Sequence, residues 1–159
     1  MADELEYAHE ALKGVNEQRK QAIIFWSGGS GTKTISGIWL DMLDEYLKMH
    51  LADLTQVLRA RAALLIGVTD AMIVGDDSKY THPAERPHMV DNSIKTIMPA
   101  PNSPSYPSSH ATVSSAAAKV LSALLPANAP TWHAKAEEAG NSRIWSGVHF
   151  RADVEAGKV

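Results

Sequence analysis

The apolar positions of this chain recur mostly at helical spacing. Over residues 33–50, Ile35, Ile38, Trp39, Met42, Leu43, Tyr46 and Leu47 lie three and four apart, which predicts an amphipathic helix. Over residues 51–74 the series continues through Leu54, Val57, Leu58, Leu64, Leu65, Val68 and Met72. The second half of that stretch is apolar almost all round, so a central place in the fold is expected for it. Residues 3–20 carry a weaker helical pattern among many charges, and a short apolar run at 23–26 stops at Gly28. All eight prolines fall between Pro83 and Pro130. Proline lacks a backbone donor and disfavours helix in the residue before it, so residues 80–107 are read as a long, ordered, proline-rich loop. Loops of that length in compact domains are usually functional or disordered. Pro107-Ser108-Ser109-His110 then opens an alanine-rich helix over 110–125, which stops at Pro126. Thr131 is read as the N-cap of a further helix to about residue 139, with Gly140-Asn141 breaking it and a last helical segment starting near Arg143 or Trp145. No alternating strand pattern and no internal repeat is visible, and the class is all-α: a compact helical bundle with a long proline-rich loop.

Composition narrows the partners. With 159 residues the chain is read as a single helical domain over 1–159. Hydrophobic residues make up 45% and charged residues 21%, ordinary values for a soluble globule. The formal net charge is −3, so the basic footprint of a nucleic-acid partner is missing. There is no cysteine, which excludes disulfides, thiolate metal sites and thiol catalysis. The longest mostly apolar stretch, 62–75, contains Asp70 and is shorter than the roughly 18 apolar residues of a membrane span. Residues 1–20 show no basic start leading into an apolar run, so no signal peptide is read there; a periplasmic or secreted origin would require a leader already removed.

An early glycine-rich segment, Gly28-Gly29-Ser30-Gly31-Thr32-Lys33-Thr34, follows an apolar run and precedes a helix. A phosphate-cradling P-loop needs Gly directly before Lys so that backbone amides and ammonium converge on one phosphate chain. Here Thr32 intervenes, and the segment reads as a turn feeding a helix N-terminus.

Three later clusters carry the candidate chemistry. The first is Lys79 followed, after six residues, by Arg86-Pro87. The second is Pro107-Ser108-Ser109-His110. The third is Ser142-Arg143, then five residues, His149, three residues and Asp153. His149 and Asp153 are four apart, so on a helix they would share a face. A carboxylate there accepts the Nδ1 proton of His149, fixes the tautomer and leaves Nε2 with a free lone pair, the state of an oriented nucleophile or ligand. His110 falls in the first turn of a helix, where unpaired backbone amides favour an anion. Lys79, Arg86 and Arg143 are cations without evident helical partners, and arginine offers a planar fork matched to phosphate oxygens. Each cluster alone is weak; together they describe an oxyanion trap.

In order and spacing, Lys79, Arg86, Pro87, Pro107, Ser108, His110, Ser142, Arg143, His149 and Asp153 resemble the three-part motif of the type 2 phosphatidic acid phosphatase and vanadium haloperoxidase superfamily, and the run from Ser146 to Gly157 resembles its soluble bacterial members. The resemblance implies a helical bundle. In the family's phosphatases, the residue matching His149 attacks phosphorus and forms a phosphohistidine, and the one matching Asp153 orients it. The residue matching His110 protonates the leaving oxygen and then activates water. Those matching Lys79, Arg86 and Arg143 neutralise the phosphoryl oxygens, helped by backbone amides near Ser108 and Ser109. No free metal cation and no cofactor enter that scheme. In the haloperoxidases the same cage holds vanadate, with the residue matching His149 as axial ligand, and peroxide then oxidises halide.

The sequence departs from that pattern in two places. Ser109 stands where the motif usually has glycine, and Ser103, seven before His110, stands where well-known haloperoxidases carry an aromatic residue or histidine beside the halide. The chain also ends six residues after Asp153, so a short last helix, truncated or completed by a partner, is expected. The leading expectation is a metal-independent phosphomonoester hydrolase acting on a small phosphoester. The alternatives are a vanadate-dependent haloperoxidase using peroxide and halide, and a non-catalytic phosphate- or vanadate-binding remnant. A homo-oligomer is compatible with all three.

Overall fold

In the computed structural model, residues 2–28, 31–50 and 53–158 are described. They form eight α-helices and a 3₁₀ turn, with no strand among them: α1 (Ala2–Lys13), α2 (Glu17–Phe25), α3 (Ile35–Met49), α4 (Leu54–Thr81), α5 (Pro87–Val90), α6 (Ser109–Leu124), α7 (Ala129–Trp145) and α8 (Arg151–Gly157). The all-α expectation therefore holds. Gly29 and Ser30 of the glycine-rich segment, and Leu51 at the expected start of the second long helix, lie outside the described residues.

The central element is α6, which packs on α4 and α7 most extensively and also touches α3 and α8. Its small residues explain this. Val113, Ala117, Ala118 and Leu121 are buried, and alanine lets neighbouring helices approach on several sides. Against it sit Leu64 and Val68 of α4, Trp39 and Leu43 of α3, and Trp132 and Ala139 of α7. The indole N–H of Trp39 donates to the buried Ser114 hydroxyl at 3.0 Å, so one polar group inside this core is paired. Trp26, Trp39 and Trp132 follow one another with ring centroids 5.9 and 6.4 Å apart, within the range of favourable aromatic contacts.

The central place expected for the second long helix is not observed. Only one side of α4 is buried, through Ala60, Leu64, Val68, Gly75 and Lys79, while Leu58, Leu65, Ile66, Ile73 and Val74 face outward, Ile66 with 63% of its surface exposed. The alanine-rich α6 takes the centre instead, because small side chains permit the closest approaches.

The last third of the chain also differs from expectation. α7 is continuous from Ala129 to Trp145, with Thr131 inside its first turn and no break at Gly140. Glycine costs a helix interior about 1 kcal/mol relative to alanine. Here, though, a Cβ at Gly140 would lie 2.9 Å from Val154 Cγ1, so the missing side chain is what lets α8 pack against α7. Arg143 falls in the last turn of α7, and the final helix starts only at Arg151. Between them Gly147 adopts φ +75, a left-handed conformation available to glycine at little cost, and this turn redirects the chain toward Val148 and His149. The long loop expected over 80–107 is shortened at its start, since α4 runs to Thr81, and it contains the one-turn helix α5.

Candidate active site

Each cluster of charged residues sits at an end of an element. Lys79 lies in the last turn of α4, and Arg86 precedes Pro87, the first residue of α5. Ser108 caps α6, its hydroxyl accepting the Ala111 N–H. Arg143 lies in the last turn of α7, His149 in the turn before α8, and Asp153 in the first turn of α8. Lys79, Arg86, Arg143, His149 and Asp153 are all buried. Such burial is unusual for charged groups unless they are paired or serve a ligand.

His149 and Asp153 meet, but not as neighbours on one helix face. Asp153 occupies the position three residues into α8, where a carboxylate can reach back to the preceding residues. Its Oδ2 accepts the Phe150 N–H at 2.9 Å and lies 3.2 Å from His149 Nδ1. A third donor, absent from the sequence-based expectation, is the Ser105 hydroxyl, 2.6 Å from the same oxygen and 3.4 Å from His149 Nδ1. Burial alone would raise the Asp153 pKa, but the hydrogen bonds from His149 and Ser105 outweigh it and hold the carboxyl below its ordinary value. The carboxylate is thus ionised at neutral pH and fixes a proton on Nδ1. His149 Nε2 lies 3.2 Å from Arg86 Nη1, so its lone pair faces a cation rather than solvent.

The cations are tied mainly to main-chain carbonyls. Arg86 donates to Val148 O at 2.8 Å, Ser103 O at 3.0 Å and Pro104 O at 3.3 Å, and its Nη2 lies 3.3 Å from Ser103 Oγ. Lys79 donates to Pro104 O at 2.9 Å, to Ser105 O at 3.3 Å and to Pro107 O. An ammonium has three N–H donors, so in this state Lys79 anchors the strap 104–107 and acts on the rest of the site through its charge. Arg143 donates to Ser142 Oγ at 2.9 Å and Ile23 O at 3.1 Å, while among the described residues its Nη1 has only the Met98 thioether, at 3.0 Å. Thioether sulfur is a weak acceptor, which leaves this N–H poised for a better one. His110 donates from Nε2 to Trp26 O at 2.7 Å, so the end of α2 pins both His110 and Arg143.

At the start of α6, the Ser108 N–H is taken by Asp153 O at 2.9 Å. Ser109 and His110 occupy the first turn, where amides have no intrahelical acceptor. Because the helix begins at Ser109, that residue is in right-handed helical backbone and glycine is not required there.

Burial sets the protonation states. It pushes His149 down to about 4, opposed in part by the Asp153 hydrogen bond. It also pushes His110 down to about 3, with the charge of Arg143 adding to the effect, the hydrogen bond to Trp26 O opposing it and the charge of Lys79 contributing further. Lys79 is lowered to about 8, by burial first and by the Arg86 charge second, and burial lowers Arg143 to about 10. At neutral pH the site therefore holds two neutral imidazoles, three cations and one carboxylate, an excess of positive charge inside the protein. An unpaired excess of this kind favours an anionic ligand carrying two charges, and a tetrahedral oxyanion presents enough acceptors to serve several of these donors at once. Met98, the Trp26 and Ile23 carbonyls and Ser105 are the members that side-chain patterns did not point to. Backbone carbonyls carry no side-chain identity, and Ser105 is one small residue in a proline-rich strap.

The helix ends of this all-α bundle thus gather three cations, two histidines and a carboxylate in one place. The chain belongs to the PAP2 superfamily, whose family model matches residues 60–159. It is 36% identical over 97 residues to an undecaprenyl-diphosphatase of Sulfolobus acidocaldarius, a match covering 59% of this chain and 46% of that protein. The fold is similar to that of a bacterial vanadium-dependent iodoperoxidase, with TM-score 0.88 and 25% identity over 99% of this chain and 46% of that one. The chain thus spans about half the length of both. No helix among the described residues is long and apolar enough to cross a membrane.

Proposed function

We propose that this site hydrolyses small phosphomonoesters through a phosphohistidine on His149. The observation that carries the reading is the arrangement of that imidazole. Its Nδ1 proton is given to a buried, ionised carboxylate, and its Nε2 lone pair faces Arg86 within a cage of excess positive charge. In the proposed reaction Nε2 attacks phosphorus as the ester oxygen leaves, forming an N–P bond and breaking a P–O bond. Asp153 stabilises the positive charge that develops on the ring. His110 supplies the proton to the leaving oxygen, then takes one from the water that releases phosphate. Because His110 is neutral in the free site, its proton must arrive with the substrate, either carried by a phosphate monoanion or drawn onto the ring by a bound dianion. Arg86 and Arg143 provide the donors for the phosphoryl oxygens, Ser109 and His110 the amides, and Lys79 the through-space charge.

The likeness to the iodoperoxidase supports a second reading. The same donor set fits vanadate, a tetrahedral oxyanion of similar charge, with His149 Nε2 as ligand and Arg86, Arg143 and Lys79 around it. Vanadate would supply the centre at which peroxide is activated toward halide.

Two assays separate these readings. Chelator-treated protein is given p-nitrophenyl phosphate and inorganic diphosphate, because the Sulfolobus acidocaldarius relative is named for a diphosphate substrate. The phosphatase reading expects turnover and an acid-labile phosphoenzyme that disappears in His149→Ala. It fails if no phosphate is released. Vanadate, peroxide and iodide with an iodine acceptor test the second reading. If both assays are blank while phosphate raises the melting temperature, the site binds an oxyanion without turning it over.

A further inference from the structure

We propose that Ser105 is a positioning residue for this reaction: its hydroxyl aims the Asp153 carboxylate at His149 Nδ1, and the Lys79 ammonium holds Ser105 in place. The inference rests on the reading of His149 as the nucleophile. Its starting point is the fully buried Ser105 side chain, at 0% exposure, whose oxygen lies 2.6 Å from Asp153 Oδ2 and 3.4 Å from His149 Nδ1. A hydroxyl has one proton and two lone pairs. The carboxylate can only accept, so the proton goes to Asp153. The lone pairs are then left for the Nδ1–H of His149, which is shared between Asp153 Oδ2 at 3.2 Å and Ser105 Oγ.

The need for such a group follows from torsional freedom. The terminal torsion of aspartate is broad, so one fixed donor does not hold a carboxylate plane. The Phe150 N–H reaches Oδ2 from within α8's own first turn. Ser105 reaches it from the separate strap 104–107, and two donors from different directions fix the oxygen beneath the imidazole. The strap is itself held independently of that hydroxyl. Ser105 N–H donates to Ala84 O at 2.8 Å, and Lys79 binds the carbonyls of Pro104, Ser105 and Pro107. Lys79 thereby acts on His149 through the strap as well as through its charge. Removal of one oxygen atom leaves all of these backbone bonds intact, so Ser105→Ala retains the fold.

The test reads the tautomer directly and needs no turnover. Protein labelled with ¹⁵N-histidine is compared as wild type, Ser105→Ala and Ser114→Ala, using two-bond ¹H–¹⁵N correlations of the resting state at pH 7. Ser114 is an equally buried serine remote from the carboxylate, bonded to Trp39, and serves as the control for loss of a buried hydroxyl. Wild type and Ser114→Ala are expected to show His149 with its proton on Nδ1 alone, and Ser105→Ala a mixture of both tautomers. On p-nitrophenyl phosphate, Ser105→Ala is expected to lose about 10–100-fold in kcat with KM within about twofold, by analogy with the loss of outer partners of metal-ligating histidines. An unchanged tautomer in Ser105→Ala overturns the proposal, whatever happens to kcat. A tautomer shift in a protein whose wild type releases no phosphate supports the positioning role and overturns the phosphatase reading instead.

Discussion

Three donors from two parts of the chain, Ser105 in the strap and His149 and Phe150 before α8, converge on a single oxygen of Asp153, and this convergence decides what substitutions there should do. Asp153→Asn keeps the shape but turns the acceptor into a group that also donates, so the imidazole is held in the wrong tautomer. Turnover should fall by about 10²–10⁴-fold while phosphate affinity changes little, as steady-state kinetics and calorimetry would show. His149→Ala should lose at least about a thousandfold in kcat and all phosphoenzyme. Lys79 gives a prediction of pH dependence. Its ammonium is lowered to about 8, so the cage loses one positive charge as pH rises through that value. Sulfate keeps its charge across this range, and its affinity, measured by calorimetry, should fall as pH rises through about 8. A flat profile to pH 9 would remove Lys79 from the electrostatics of the site. The charged members of the cage were legible in the sequence, because paired cations, histidines and a carboxylate at fixed spacings are chemically unusual. Their partners were not. Lys79 spends its N–H groups on carbonyls of Pro104, Ser105 and Pro107, acceptors that every residue possesses.

Elements bring these side chains together through their ends, and the sequence showed helix interiors better than ends. The spacing over 33–50 matched α3, and the alanine run matched α6 within a residue at each end. The relation of His149 to Asp153 was misplaced, since four-residue spacing suggested one helix face. The contact instead arises because Asp153 reaches back from the first turn of α8 to residues before the helix. Gly140 was read as a breaker on intrinsic preference, whereas tertiary packing decides its place. This yields a prediction for α7 and α8. Gly140→Ala should gain about 1 kcal/mol of helix preference. The new Cβ would lie 2.9 Å from Val154 Cγ1, and overpacking of this kind costs about 1–3 kcal/mol. The variant should therefore be less stable in urea than the parent. It should also be slower, because α8 carries Asp153, and Val154→Ala in the same chain should restore part of both losses. A Gly140→Ala protein at least as stable as the parent would show that α8 does not depend on this close approach.

The whole molecule keeps two imidazoles neutral inside, and that has a measurable consequence for its acid stability. His149 and His110 titrate at about 4 and about 3 in the folded state, against 6.5 for an unperturbed histidine. Below pH 6.5 the unfolded chain takes up protons that the folded chain refuses, so stability should fall from pH 6.5 toward 4, and less steeply in His149→Gln. The excess of positive charge at the same place means that an oxyanion should raise stability in proportion to the logarithm of its concentration above its dissociation constant. The expectations for binding and turnover all require that Lys79, Arg86, Arg143, His110 and His149 serve one tetrahedral anion. The most direct measurement is a crystal structure of the chain grown with vanadate. The expected result is a single oxyanion within bonding reach of His149 Nε2, with Arg143 Nη1 turned from the Met98 sulfur to one of its oxygens and Arg86 shifted from Nε2 to another. Density for the anion at a different place, with Arg86 still against His149 and Arg143 still against Met98, would contradict it.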